Sequence, residues 1–112
     1  VDMDRAKKFY ESVFGIEIGI NEFAPGLTMG WFPFDHTAPG ATGSLVKNEN
    51  YKPSHEGSLV YFSVQEIVDV QNKIEEAGGK VLNPKYPIGE HGFCAVFEDS
   101  EGNKVALHQG VN

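Results

Sequence analysis

Residues 2–15 are Asp2-Met3-Asp4-Arg5-Ala6-Lys7-Lys8-Phe9-Tyr10-Glu11-Ser12-Val13-Phe14-Gly15. Their apolar side chains recur at spacings of three and four, at Met3, Ala6, Phe9, Tyr10 and Val13. This spacing is typical of one face of an amphipathic helix. Asp2 is placed as the N-cap, and Gly15 lies just past the last turn. The stretch therefore predicts a helix that buries one apolar stripe and ends at Gly15.

The same pattern returns in residues 64–81, which align with residues 1–16 when a gap or two is allowed. The second copy again places apolar residues on one helical face, at Ile67, Val70, Ile74 and Ala77. Gly78-Gly79 then ends the helical pattern. The chain therefore contains an internal repeat, and a repeat constrains the architecture more strongly than any short motif.

Three strand-like stretches follow each predicted helix. They span residues 16–22, 27–34 and 42–47 in the first half and residues 80–82, 92–98 and 103–109 in the second. Turn sequences rich in Gly, Pro, Asn and Asp separate them, such as Ala38-Pro39-Gly40 and Tyr86-Pro87-Ile88-Gly89. Each half is therefore predicted to be a helix followed by three strands.

A further β-rich stretch, residues 58–64, precedes the second helix, whereas nothing precedes the first. The repeat thus predicts that the first module lacks its opening strand in this sequence and that the natural chain is longer. Residues 48–57 are polar and rich in turn residues, as expected of a linker. The sequence predicts an α+β fold of two βαβββ modules, residues 1–47 and 58–112, with the first strand of module 1 missing.

The composition fits one small domain. A chain of 112 residues with 40% hydrophobic residues lies outside the disordered and membrane classes. Its formal net charge of −7 argues against nucleic acid and anionic membrane as partners, because both recruit clustered Lys and Arg. With no apolar run of spanning length, no signal-peptide pattern and a single cysteine, Cys94, we expect a cytoplasmic location.

Four stretches carry a resemblance to a known family. They are residues 2–15, with the pattern D-x-x-R-A-x-x-F-Y ending in F-G, and residues 60–64, 74–81 and 97–103. Together they resemble the vicinal oxygen chelate superfamily, the glyoxalase, bleomycin-resistance and extradiol-dioxygenase group. The resemblance implies paired βαβββ modules with curled antiparallel or mixed sheets around a cavity for a small organic molecule. It also implies a homodimer, with modules pairing within one chain or across two.

Metal-dependent members of this family bind the ion through His, Gln or Glu on the first and fourth strands of each module. The resemblance places Leu59 and Ala106 at two of these positions and a third near Gly43, Ser44 or Leu45. The fourth position falls in the missing strand. Because such an ion needs imidazole or carboxylate ligands, we expect no metal and no other cofactor. A divalent Zn, Ni, Fe or Mn ion is the alternative.

The four histidines differ in their context. His36 and His55 lie in polar loop sequence, which is typical of solvated imidazoles. His108 lies two residues from Ala106 on a predicted strand and so shares its face. Glu90 and His91 lie in a Gly-flanked stretch typical of a flap beside a cleft, and they are the candidates for acid and base. A plain surface loop is the competing interpretation.

Strand alternation places one set of side chains toward a helix and the other toward a cavity. By this rule Tyr61 lies opposite Phe62, and Trp31 lies opposite Phe32. We expect the ligand cavity to be lined by Trp31, Leu59, Tyr61, Phe93, Ala106 and His108. Aromatic walls in an acidic protein suit a neutral or cationic flat molecule. The competing interpretation is that these aromatic residues, like Cys94, belong to the core.

These patterns favour a glyoxalase-related protein that binds a small organic molecule without a metal, and they assign no activity. Two alternatives stay open. One is a metal-dependent lyase or isomerase similar to lactoylglutathione lyase, and the other is a drug-sequestering protein similar to the bleomycin-binding members. All share one fold, and function is decided by the site.

Overall fold

The computed structural model describes residues 2–33, 43–49 and 51–111. Helix α1 spans Met3–Phe14. The Asp2 side chain accepts a hydrogen bond from the Arg5 N–H at 3.1 Å, and Gly15 ends the helix with a φ of 64°. Glycine suits this left-handed position because it lacks a Cβ. Both predicted caps are confirmed.

Sheet 1 is antiparallel and follows α1, with strand order β1-β2-β3. Its strands are β1 (Gly19–Ala24), β2 (Leu27–Trp31) and β3 (Ser44–Lys47). The face that bears Gly30 lies on α1, since a Cβ at Gly30 would come within 3.2 Å of the side chains of Ile18 and Met3. Glycine at this position therefore lets the sheet approach the helix closely.

Sheet 2 has four strands in the order β4-β7-β6-β5. Its strands are β4 (Tyr61–Ser63), β5 (Lys80–Pro87), β6 (Phe93–Glu98) and β7 (Lys104–Gln109). Strand β4 pairs in parallel with β7, and the other pairs are antiparallel. Helix α2 (Ile67–Ile74) connects β4 to β5, and Glu66 caps it by accepting from the Val68 N–H. Within the described residues, two α-helices and two sheets confirm the α+β class, and neither sheet closes into a barrel.

One hydrophobic core joins the two modules. Its largest fully buried side chains are Phe9, Val13, Ile67, Ile74, Phe97 and Leu107. Helix α1 reaches both sheets, because Phe9 lies against Phe97 of sheet 2 with ring centroids 6.0 Å apart, and the Met3 side chain lies beside Gly30 of sheet 1. The helices thus cover one face of each sheet, and the opposite faces point away from them.

Hydrogen bonds connect α1 to the turn between β6 and β7, residues 99–103. The Tyr10 hydroxyl donates to the buried Asp99 carboxylate at 2.6 Å. The Arg5 guanidinium donates two hydrogen bonds, of 2.7 and 2.9 Å, to the Glu101 carboxylate. These pairs hold the first helix against the second module, so the two halves form one body.

The larger differences from the predicted strand bounds concern four strands. β2 ends at Trp31, before Phe32 and Pro33, which the prediction had included. β1 begins three residues late, because Ile18 is buried and its N–H donates to the Glu11 side chain at 2.9 Å. β4 is shorter than residues 58–64. β5 is longer than residues 80–82, since an edge strand with register shifts tolerates Pro84 and Pro87.

Some predictions lie outside the described residues, namely the strand ends at Phe34 and Thr42, the turn Ala38-Pro39-Gly40, and His36. Within the described part of the chain, neither α1 nor α2 is long and apolar enough to cross a membrane.

Candidate functional site

The face of sheet 2 that points away from the helices is called the open face here. Strand register defines it, because directly paired residues share a face. Tyr61 pairs with Ala106 and Ser63 with His108, while Cys94 pairs with both His108 and Tyr86. The open face carries Tyr61, Ser63, Tyr86, Cys94, Val96, Ala106 and His108. The alternate residues Phe62, Ala95 and Leu107 belong to the core beneath the helices.

Tyr61 and Tyr86 lie on either side of the buried part of the open face, which contains Cys94 and Ala106. Cys94 and Ala106 are buried, whereas Tyr61 is 52% exposed. Partial removal from water raises the pKa of the Tyr86 phenol, and the neighbouring Cys94 thiol and Tyr61 phenol raise it further. The Tyr86 hydroxyl therefore keeps its proton at neutral pH and can donate a hydrogen bond. The face offers aromatic surface together with polar groups that can orient a ligand.

His108 lies at one end of the open face. Its Nε2 is 2.8 Å from the backbone carbonyl oxygen of His91 and donates a hydrogen bond to it. A carbonyl can only accept, so this contact fixes a proton on Nε2 and leaves Nδ1 as the second hydrogen-bonding atom of the ring. The His108 side chain is thereby positioned by the turn that precedes β6.

That turn is a short 3-10 helix, Gly89–His91. It is closed by a hydrogen bond of 2.9 Å from the Ile88 N–H to the Gly92 carbonyl. Gly92 has a φ of 106°, and a Cβ there would collide with the backbone of Gln109, so the turn lies directly against β7. The side chains of Glu90 and His91 are exposed. The turn contacts the open face through the His91 carbonyl.

The segment before β4 closes the other end of the open face. The N–H of Ser54 donates to the Asn103 side chain at 3.1 Å, and the N–H of Lys104 donates to the Ser54 carbonyl at 3.2 Å. His55 Nε2 lies 2.7 Å from the Glu98 carboxylate. His55 is exposed, as expected, but it is paired rather than only solvated, and its loop sequence carries no signal for this contact.

Three further residues were expected to line the cavity. Leu59 is 36% exposed and lies two residues before Tyr61. Phe93 is on the helix side of sheet 2, with the Lys85 Nζ 4.5 Å from its ring centroid. Trp31 is on sheet 1, where its Nε1 donates to the Asn21 side chain at 2.8 Å. The open face thus brings together Tyr61, Ala106 and His108 of the expected set, whereas Phe93 lies on the other face of sheet 2 and Trp31 lies on sheet 1.

Trp31 belongs to a second apolar face. Register places Met29, Trp31 and Val46 on the side of sheet 1 opposite Gly30, and hence away from α1. Trp31 and Val46 are each 43% exposed. Sheet 1 therefore presents an aromatic and aliphatic surface of its own.

Like Ser63, Cys94 and Val96, Tyr86 is an open-face residue that the sequence did not place in the cavity. Its neighbour Pro87 and the following Ile88-Gly89 are typical of a turn, yet Tyr86 belongs to β5 and lies beside Cys94. Pairing of β5 with β6 as an edge strand brings it onto the open face.

The residues at the expected metal positions do not fit a divalent ion. Leu59 and Ala106 are aliphatic, and Leu45 belongs to the side of sheet 1 that packs on α1. Across the described ranges no three His, Cys, Asp or Glu side chains come close enough together to hold a metal. The donor set required for zinc or a related ion is therefore not assembled by these residues.

Solved structures show the same fold at low sequence identity. An E144Q mutant of glyoxalase I from Zea mays matches 96% of this chain with a TM-score of 0.73 and 22% identity. A glyoxalase/bleomycin resistance protein from Albidiferax ferrireducens T118 matches 97% of this chain and 91% of its own, with a TM-score of 0.72 and 22% identity. The chain spans less than half of the Zea mays enzyme, 43% of it.

The solved structures show the fold, and a protein-family model identifies the family. No curated protein matches the sequence. The model described as Glyoxalase/Bleomycin resistance protein/Dioxygenase superfamily matches residues 1–107, which is nearly the whole chain. Because this match covers well over half of its length, the chain belongs to the Glyoxalase/Bleomycin resistance protein/Dioxygenase superfamily.

Proposed function

We propose that this protein binds a small, flat organic molecule on the open face of sheet 2, by a mechanism that uses no metal. The observation that carries the proposal is the grouping of Tyr61 and Tyr86 around the buried Cys94, with His108 held at one end. Phenol rings supply stacking surface at low entropic cost, and the hydroxyls and the imidazole supply hydrogen bonds.

The charge of the protein supports a neutral or cationic ligand. The formal net charge is −7, which attracts cations and repels anions at long range. Aromatic faces also attract cations through their quadrupole. A planar organic cation or a neutral heterocycle therefore suits this face better than a phosphorylated or carboxylated metabolite.

A second copy of the chain is proposed to close the site. Sheet 1 exposes Trp31 and Val46, and the open face of sheet 2 exposes Tyr61. Both faces point away from α1 and α2, and each leaves apolar side chains exposed. A homodimer that places sheet 1 of one copy over the open face of the other would enclose the ligand between aromatic walls.

Binding is tested with proflavine, a planar aromatic cation, and with an anionic dye of similar size. We expect proflavine to bind with the higher affinity. Tyr61→Ala and Tyr86→Ala should each weaken it about threefold to tenfold, the loss expected of one aromatic contact. Tyr51→Ala is the matched control, because Tyr51 is exposed and does not belong to the paired strands that define the open face. The proposal fails if neither proflavine nor a panel of neutral and cationic heterocycles binds.

The dimer is tested by sedimentation equilibrium. We expect Trp31→Asp to shift the protein toward monomer, since a buried unpaired charge disfavours an apolar interface. Val68→Asp is the control, because Val68 is exposed on α2. An unchanged mass for Trp31→Asp would reject this interface while leaving ligand binding as a separate question.

The lyase alternative is decided separately. Turnover of a mixture of methylglyoxal and glutathione by protein loaded with zinc or nickel would overturn the metal-independent proposal. Stoichiometric metal in protein purified without chelators would do the same.

A further inference from the structure

A single row of paired residues crosses the four strands of sheet 2 on the open face. Ser63 of β4 pairs with His108 of β7. His108 also pairs with Cys94 of β6, and Cys94 pairs with Tyr86 of β5. Neighbouring strands lie about 4.8 Å apart, so the backbones at His108 and Tyr86 are separated by roughly 10 Å, with the buried Cys94 between them. A flat molecule that lies on Cys94 therefore has a different polar side chain at each of two edges.

His108 is the member of this row whose hydrogen-bonding pattern is fixed. Its Nε2 lies 2.8 Å from the His91 carbonyl oxygen, which can only accept. The proton of a neutral ring is therefore on Nε2, and Nδ1 carries a lone pair. The two ring nitrogens point in divergent directions, so Nδ1 faces away from the Gly89–His91 turn. No hydrogen bond among the described residues reaches Nδ1, which leaves it to accept from a ligand.

The backbone holds this acceptor in place. The Ile88 N–H donates to the Gly92 carbonyl at 2.9 Å and closes the turn that carries the His91 carbonyl. A Cβ at Gly92 would collide with the backbone of Gln109, the residue that follows His108. The turn thus lies directly against this part of β7. The tautomer of His108 is therefore set by the fold before any ligand arrives.

The polar groups beside His108 are less selective. The hydroxyls of Ser63 and Tyr86 rotate and can either donate or accept. The charged residues Glu98 and Lys104 pair at the other end of β6 and β7, four residues along each strand and about 13 Å away. The lone pair of His108 Nδ1 is therefore the group in this row that distinguishes a ligand donor from a ligand acceptor.

We propose that His108 determines the specificity of the open face and that the ligand is a planar heteroaromatic molecule with an N–H group at its edge, which donates to Nδ1. This inference rests on the proposed binding site and adds the chemistry of one edge of the ligand. An amino-substituted heterocycle satisfies it. A molecule with a carbonyl or carboxylate oxygen at the same edge is rejected, because two lone pairs then face each other and both lose their water partners.

NMR of the ¹⁵N-labelled histidine rings tests the acceptor in the unaltered protein. His108 is assigned by the loss of its ring signals in His108→Asn, and the same signals show the pH at which the ring is neutral. We expect a pyrrole-type Nε2 and a pyridine-type Nδ1 in the free protein. Proflavine, whose amino groups donate, should move the Nδ1 signal upfield, as accepting a hydrogen bond does. Acridine orange methylated at its ring nitrogen is a cation of the same ring system without any N–H, and it should move this signal less.

A thermodynamic cycle with the same two dyes measures the contact. The measured quantity is the dissociation constant of the methylated dye divided by that of proflavine. His108→Phe keeps a ring but has no nitrogen, and we expect it to lower this quotient about threefold to tenfold, the loss expected of one hydrogen bond. His108→Asn, whose side chain can place an oxygen near the position of Nδ1, should lower it less. Val68→Gln is the control, because Val68 is exposed on α2, and it should leave the quotient unchanged.

The outcomes separate this inference from the binding site on which it rests. If neither proflavine nor the panel of neutral and cationic heterocycles binds, both fail. If both dyes bind, the quotient is the same in His108→Phe and the Nδ1 signal does not move, the binding site stands and the role of His108 is overturned. A pyrrole-type Nδ1 in the free protein would overturn it as well. If His108→Phe does not fold, the ring signals of the unaltered protein decide the question.

Discussion

The Tyr10 hydroxyl lies 2.6 Å from the Asp99 carboxylate, which joins the first helix to a turn in the second module. Asp99 is only 4% exposed, and it also accepts from the N–H groups of Glu101 and Asn103. Burial and the adjacent carboxylate raise the pKa of the Tyr10 phenol, so it stays a donor across the range in which the protein is folded.

Removing this donor should destabilise the protein. We expect Tyr10→Phe to lower the free energy of unfolding by about 1.5–3 kcal/mol, the usual size for a hydrogen bond to a charged group. Urea unfolding followed by circular dichroism measures it. Tyr51→Phe is the control, since Tyr51 is exposed and should change stability by less than about 0.5 kcal/mol. Equal effects of the two variants would contradict the role of the Tyr10 pair.

Acid should weaken the fold through Glu101. The Arg5 guanidinium lowers the pKa of the Glu101 carboxyl from 4.5 to about 2. The carboxyl therefore binds a proton more readily in the unfolded chain than in the folded one. The ionised Glu101 thus makes its full contribution to the free energy of unfolding above about pH 4.5, and this contribution is lost as the pH falls toward 2. Arg5→Gln should lower the free energy of unfolding at pH 6. The difference in this free energy between the variant and the unaltered protein should be smaller at pH 2.5. Unfolding curves at several pH values and low salt measure it, and a pH-independent difference would contradict the assignment.

Gly79 is expected to tolerate no side chain. A Cβ there would lie 2.5 Å from the Glu98 carbonyl oxygen and 2.6 Å from a ring carbon of Phe9. Gly79→Ala should therefore cost about 1–3 kcal/mol, as overpacking usually does. Gly57→Ala is the matched control, because a Cβ at Gly57 meets nothing within 4 Å. Thermal unfolding compares the two, and the interpretation is wrong if both are neutral.

Cys94 should react slowly with thiol reagents in the folded protein. It is 5% exposed and lies beneath Tyr61 and Tyr86 on the open face, where neither charge nor access favours attack. We expect fast labelling in urea and a several-fold faster reaction in Tyr86→Ala than in the unaltered protein. Tyr51→Ala should leave the rate unchanged. Labelling with a coloured disulfide reagent measures these rates, and a rate insensitive to Tyr86→Ala would show that the phenol does not cover the thiol.

The sequence predicted the fold well where the information is local. The spacing from Met3 to Val13 and the caps at Asp2 and Gly15 determine α1, because helix termini depend on neighbouring residues. The repeat of that pattern predicted the second helix and the three strands after each. β5 was predicted too short, since Pro84 and Pro87 are turn signals that an edge strand can tolerate.

The site was less predictable because it depends on how distant segments meet. Alternation predicted that Tyr61 and Phe62 face opposite sides, and the structure has Phe62 packed against the core and Tyr61 52% exposed. It could not show that Trp31 and Tyr61 belong to different sheets. Nor could it show that the His108 imidazole bonds to the His91 carbonyl, because backbone contacts between remote residues leave no pattern in the sequence.

The parallel pairing of β4 with β7 also sets an order of events in synthesis. β4 leaves the ribosome before α2, β5 and β6, yet the edge on which it pairs belongs to β7, which emerges after all of them. Such non-local pairing is slow, and until it forms, Val60, Tyr61 and Phe62 are an unprotected apolar segment in a nascent chain. The step most vulnerable to aggregation is therefore the interval between the synthesis of β4 and that of β7.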